Sequence, residues 1–122
     1  THPNKVTALS DVLLVADDAD EYERRYAACT GHASRREGPK RLFTFERVSK
    51  LSIIDSKDIG AVLAGSLIPR PPAIAGVAFQ TTGYAAMKKR LQSHAIPFHE
   101  ADGRLIVPAE AGCGVAMIFE NL

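Results

Sequence analysis

Two kinds of apolar pattern alternate along this chain. From Ala8 to Ala16 the residues are dense in Val and Leu, centred on Val12-Leu-Leu-Val15; a continuous apolar run of this length predicts a strand buried on both faces. The pattern then changes period. Ala19, Tyr22, Tyr26 and Cys29 recur at helical spacing, with Asp17 or Asp18 as cap and Gly31 where a helix ends. Cys29 is therefore expected in the core. The same order returns further on. Ile74 to Thr82 predicts a strand, Thr82 the next cap, and Tyr84, Met87, Leu91 and Ala95 an apolar helix stripe that Pro97 stops.

The second occurrence follows the first at a lag of 65 residues, which brings Ala19 onto Tyr84, Tyr22 onto Met87 and Tyr26 onto Leu91. After each helix come three short strand candidates. In the first half these are Ala33 to Arg36, Lys40 to Arg47 and Lys50 to Asp55; in the second, Pro97 to His99, Arg104 to Val107 after an Asp102-Gly103 turn, and Gly114 to Glu120. A helical turn at Asp58 to Leu63 and the extended Pro69-Arg-Pro-Pro72 link the halves. Half a chain is marginal as a core. The predicted class is therefore α+β: two βαβββ modules, about 8–56 and 72–121 with a linker at 57–71, packed into one curved mixed sheet around a cleft, helices outside.

Composition narrows the function classes. The 122 residues are 46% apolar and 24% charged, with a formal charge of +1 and 7% aromatic residues. That balance speaks against a nucleic-acid partner or a polybasic membrane surface. No apolar run approaches the roughly 20 residues that span a bilayer. Cys29 and Cys113 lack C-x-x-C spacing, which favours a reducing, cytoplasmic setting. The polar start without Met suggests a piece of something longer, so a missing second domain or a homodimer is the expected protein partner, beside a small-molecule ligand.

The repeat, with Leu9-Ser-Asp-Val12, Ile74-Ala-Gly-Val77 and the closing Ala111-Gly-Cys-Gly-Val-Ala-Met-Ile-Phe-Glu120, resembles the vicinal oxygen chelate superfamily from Ala8 to Glu120. That superfamily includes glyoxalase I, bleomycin- and fosfomycin-resistance proteins and extradiol dioxygenases; the closer resemblance is to glyoxalase-like domains of bacterial proteins of unassigned function. In its metal-using members the resemblance implies ligands near the start of the first strand and on the last strand of each module. Here those places hold Asp11, Gly76, Ile53 or Ile54, and Ile118, with Asp55 and Glu120 nearby. A divalent site needs three or more converging N or O ligands, so no metal or cofactor is expected. A slipped alignment would leave Asp11, Asp55 and Glu120 as an all-carboxylate alternative.

Other chemistry is sparse. His2 and His32 are expected in solvent, and His94 partly buried at the place of Cys29. His99 lies on a strand that can wall the cleft, and Cys113 in a small-residue turn. The basic cluster Arg35-Arg36 and Lys40-Arg41 reads as a solvated turn unless Arg41 faces inward with Phe43 and Phe45. The expected reading is a metal-free cleft for a small, partly apolar ligand, or an accessory domain of a larger protein. Asp11, Leu13, Arg41, Phe43, Phe45, Gln80, His99 and Cys113 would line it, with Asp11, Arg41 and Gln80 orienting polar atoms. Two alternatives are a divalent-metal lyase or dioxygenase using Asp11 and Glu120, and a non-catalytic scaffold that pairs through a sheet edge or helix face.

Overall fold

A computed structural model of the chain describes residues 5–45, 49–63, 68–101, 103–111 and 114–121. The elements run β1 (Val6–Ala16), α1 (Ala19–Thr30), β2 (Arg35–Glu37), β3 (Lys40–Thr44), β4 (Lys50–Asp55), α2 (Ile59–Val62), β5 (Ala73–Thr81), α3 (Tyr84–Ser93), β6 (His99–Ala101), β7 (Arg104–Val107) and β8 (Ala116–Asn121). The strands form one eight-stranded mixed sheet in the order β2-β3-β4-β1-β5-β8-β7-β6. Each module pairs its first strand in parallel with its last, β1 with β4 and β5 with β8. The modules join where β1 meets β5 antiparallel. The 65-residue lag holds for the first strands, where Asp11 and Gly76 face Lys50 and Ala116, and slips by one residue on the last strands. The architecture is the α+β sheet of paired βαβββ modules that the repeat predicts.

Strand alternation sorts the side chains into two layers. On the outer face α1 covers Leu14, Phe43 and Ile53, while α3 lays Met87 and Leu91 on Leu105, Val107 and Phe119. On the inner face Leu13, Val15, Ile54, Ile106 and Ile118 pack with Ile59, Val62 and Leu63. The two module helices lie outside, as expected, while the short α2 of the linker packs on the inner face and contributes Ala61 and Val62 to the cleft wall. Burial of β1 and β5 on both faces holds only in part. Leu9 and Ile74, one lag apart, are 47% and 49% exposed; their register partners Phe79 and Leu14 place them on the outer face.

The helix ends follow local chemistry. Asp18 caps α1 by accepting the Glu21 N–H at 3.2 Å, and Gly31 ends it in the left-handed region at φ 73°. At α3 the expected Thr82 cap is replaced by Gly83, and it is Thr81 whose hydroxyl accepts the Gly83 N–H at 3.0 Å. That helix ends at Ser93, four residues before Pro97; Ala95 takes the reversing conformation at φ 53°, and the Ile96 N–H returns to the Leu91 carbonyl at 3.0 Å. Cys29 is exposed, correcting its assignment to the core. At 100° per residue it lies at the margin of a stripe whose only fully buried member is Ala19. His94, its counterpart in the second module, is likewise exposed.

Candidate functional site

The inner face opens into a cleft of about 480 Å³ over the central strands. It is lined from Glu37 and Pro39 at one side to Gly103 and Arg104 at the other. Six strand spacings separate β2 from β7, about 29 Å on a flat sheet. Residues so far apart line one cleft because the sheet curves around it.

Cross-strand register fixes what faces the cleft. Lys50, Asp11, Ala78 and Ile118 stand in one row across β4, β1, β5 and β8. Ser52, Leu13, Gly76 and Ala116 form the row on one side, and Gln80, Glu120 and Arg104 belong to the row on the other. Between Leu9 and Asp11 the β1–β5 register shifts, a bulge at Ser10. A bulge turns consecutive side chains toward the same side, so Ser10 and Asp11 are both buried, at 1% and 5% exposure.

The polar floor is built around two carboxylates, each served by a serine. The Ser52 hydroxyl donates to the Asp11 carboxylate, 3.0 and 2.9 Å from its two oxygens, and the Lys40 ammonium stands 3.8 Å away. The Ser10 hydroxyl donates to Glu120 Oε1 at 2.7 Å and lies 3.2 Å from the Ala78 carbonyl oxygen. Burial holds the Asp11 carboxyl above the usual carboxylate range, and the Glu120 charge adds to that. The Ser52 hydroxyl, Lys40 and Lys50 pull the other way without cancelling it. The floor therefore combines a buried carboxyl of raised pKa, a second carboxylate, two hydroxyls and three cations, over apolar walls from Leu13, Ala78, Val62 and Ile118.

The eight residues expected to line a cleft divide between the two faces. Asp11 and Leu13 line it. Gln80, half-buried, is on the inner face beside Glu120, and His99, exposed, stands opposite Ile106 on the edge strand β6; neither reaches the cleft lining. Arg41, Phe43 and Phe45 are on the outer face, which corrects their placement. Phe43 is completely buried under α1, Phe45 packs edge-on against His32 at 5.2 Å, and Arg41 pairs with Asp20 at 2.8 Å and Glu23 at 3.6 Å. Period two carries Arg41, Phe43 and Phe45 together to one face, and the two acids on α1 select the outer one. Cys113 lies outside the described residues.

Lys40, one residue away from Arg41, lines the cleft in its place, with Lys50, Arg104 and Glu120, while Ser52 and Ser10 lie buried behind the two carboxylates. One signal for these was present in the sequence: Ser52 interrupts the apolar Leu51-Ser-Ile-Ile54, and a hydroxyl at an inward strand position needs a partner.

The four positions at which the resemblance implies metal ligands do not form a donor set. Asp11 is the one carboxylate; Ile54 and Ile118 are buried apolar side chains. At Gly76 a Cβ would stand 3.0 Å from Leu13 Cδ1 and 3.3 Å from the Ala116 carbonyl oxygen, so leucine packing occupies the space a ligand would need. Asp55 cannot join an all-carboxylate site, because it pairs with Ala16 five residues along β4 from Lys50 and on the opposite parity from Ile54. No group of three or more His, Cys, Asp or Glu able to hold a metal occurs among the described residues. Nor is any described helix long and apolar enough to cross a membrane.

A family model described as a domain of unknown function, DUF4224, matches residues 81–111, from the end of β5 to the loop after β7. No curated protein matches. Among solved structures the chain is similar to methylmalonyl-CoA epimerase from Mycobacterium tuberculosis, with a TM-score of 0.71 and 17% identity over 99% of this chain and 91% of that one. It is similar also to a variant of Streptomyces coelicolor methylmalonyl-CoA epimerase in complex with 2-nitronate-propionyl-CoA, at TM-score 0.66 and 14% identity, covering 95% and 97% of the two chains. A hypothetical protein from Bacillus halodurans C-125 aligns at TM-score 0.68 and 11% identity over 94% of each chain. These likenesses establish the vicinal oxygen chelate fold.

Proposed function

We propose that this chain is a small-molecule-binding domain of the vicinal oxygen chelate fold, whose cleft receives a small, partly apolar ligand over Asp11. The observation that carries this reading is Asp11 itself, 5% exposed and yet part of the cleft lining. A buried carboxylate costs stability unless it is paired, and this one keeps a raised pKa in spite of Ser52 and Lys40. Groups held in that state cluster at functional sites. Around it, Leu13, Ala78 and Ile118 offer apolar contact, and Lys40, Lys50 and Arg104 offer donors. The Streptomyces neighbour, in complex with 2-nitronate-propionyl-CoA, supports a ligand-binding use of this fold.

The reading is tested by a fragment screen followed by amide chemical-shift mapping, on the parent protein and on Asp11→Asn. Hits should shift resonances of β1, β4, β5 and β8 on the inner face and weaken about tenfold in the variant, the scale of one charged hydrogen bond. Hits that map to the outer face, or that bind Asp11→Asn equally well, would overturn it.

A further inference from the structure

We infer that the ligand of this cleft is a small organic diacid, one carboxylate anchored by Lys50 and the other by Arg104; the inference rests on the ligand-binding reading above and gives that ligand a chemical class. Each of its carboxylates is already engaged within the chain. Asp11 holds Ser52 with Lys40 at 3.8 Å, Glu120 takes the Ser10 hydroxyl at 2.7 Å, and Glu37 pairs with Arg35 at 3.4 Å.

The cations are not balanced in the same way. Lys40 is committed to Asp11, but among the described residues neither Lys50 nor Arg104 forms an ion pair. Both are half-buried, both line the cleft, and they come from different modules, Lys50 from β4 and Arg104 from β7. Lys50 feels the Asp11 carboxylate only beyond ion-pair distance, and a cation kept partly out of water without a contact ion pair has incomplete compensation for its desolvation. An anion in the cleft supplies it, and a guanidinium suits a carboxylate through two parallel hydrogen bonds. The organic part of the ligand is called for by Leu13, Ala78 and Ile118, which lie between the two cations across the sheet and offer nothing to an inorganic ion.

The test is calorimetric titration of the intact chain with glutarate, its neutral diamide glutaramide, and inorganic phosphate, with amide shift mapping to place each. Glutarate should bind saturably, weaken as salt is raised, and lose about tenfold or more in affinity in Lys50→Met and in Arg104→Met, while Lys50→Arg retains binding. Both methionine variants should melt near the parent temperature, since neither cation holds an internal ion pair. Glutaramide should bind at least tenfold more weakly than glutarate. Glutaramide binding as well as glutarate, at the inner face, would sink the acid and leave the cleft reading standing. Phosphate binding as tightly as glutarate would replace the organic acid by a simple anion site. Failure of all three to shift inner-face resonances would overturn the inference, while the fragment screen decides the broader reading separately.

Discussion

The replacement Gly76→Ala sets two effects of opposite sign against each other, and the structure decides between them. Replacing Gly by Ala at a permitted backbone angle removes freedom from the unfolded chain and stabilises by about 0.4–1 kcal/mol. Here the added Cβ would stand 3.0 Å from Leu13 Cδ1, 3.3 Å from the Ala116 carbonyl oxygen and 3.5 Å from Leu63 Cδ1. Leu13 and Leu63 are each 1% exposed and packed in the inner core, and the carbonyl belongs to the β8 strand that pairs with β5. Overpacking of this kind costs about 1–3 kcal/mol. The net expectation is a loss of about 1–2 kcal/mol, read as a fall of about 4–8 °C in Tm. Gly60 is the internal control, because a Cβ there meets nothing within 4 Å; Gly60→Ala should be neutral or slightly stabilising. Denaturant unfolding of both variants, with Leu13→Ala added to Gly76→Ala to relieve the clash, provides the measurement. If Gly76→Ala matches Gly60→Ala, the close packing of β5 on Leu13 is wrong, and with it the reason no ligand side chain fits there.

Further outcomes follow from other parts of the molecule. Because the folded Asp11 carboxyl titrates above its unfolded value of 3.8, the stability it contributes is greatest below that value and falls as pH rises through the folded pKa. Unfolding free energies of the parent minus those of Asp11→Asn should therefore decline from acid toward neutral pH and then level off; a difference that grows with pH would contradict this. Ser52→Ala leaves the buried carboxylate without its hydroxyl donor, with the Lys40 ammonium at 3.8 Å and Lys50 farther off, and should cost about 1–3 kcal/mol in denaturant melts at neutral pH. Ala95→Gly, at φ 53°, should gain about 1 kcal/mol by relieving a left-handed conformation, checked by the same melts. Arg41→Met should lower stability while leaving affinity for any cleft ligand unchanged, since its partners Asp20 and Glu23 are on the outer face.

The two-module architecture was legible in the sequence because a helix stripe and a buried strand each recur at one lag. The counterparts Leu9 and Ile74, or Cys29 and His94, even share their exposure. The face assignment of short strands was not equally legible. Lys40-Arg-Leu-Phe-Thr44 reads acceptably in either orientation, since one step along a strand exchanges its whole inner and outer sets. What chose between them was a long-range ion pair from α1, invisible in local pattern. The same holds for Asp11 and Glu120: their serine partners are 41 and 110 residues away in sequence. Asp11 and Leu13 were accessible to sequence reasoning because Asp11 stands where the resemblance implies a ligand and Leu13 shares its parity on the far side of the bulge at Ser10.

The measurement that bears most directly on the central claim is a crystal structure of the chain grown with glutarate. Electron density for the acid is expected on the inner face, its two carboxylates within hydrogen-bonding distance of Lys50 and Arg104 and its carbons over Leu13 and Ile118. Density for the acid on the outer face, or an inner face filled by ordered water alone at saturating glutarate, would contradict it.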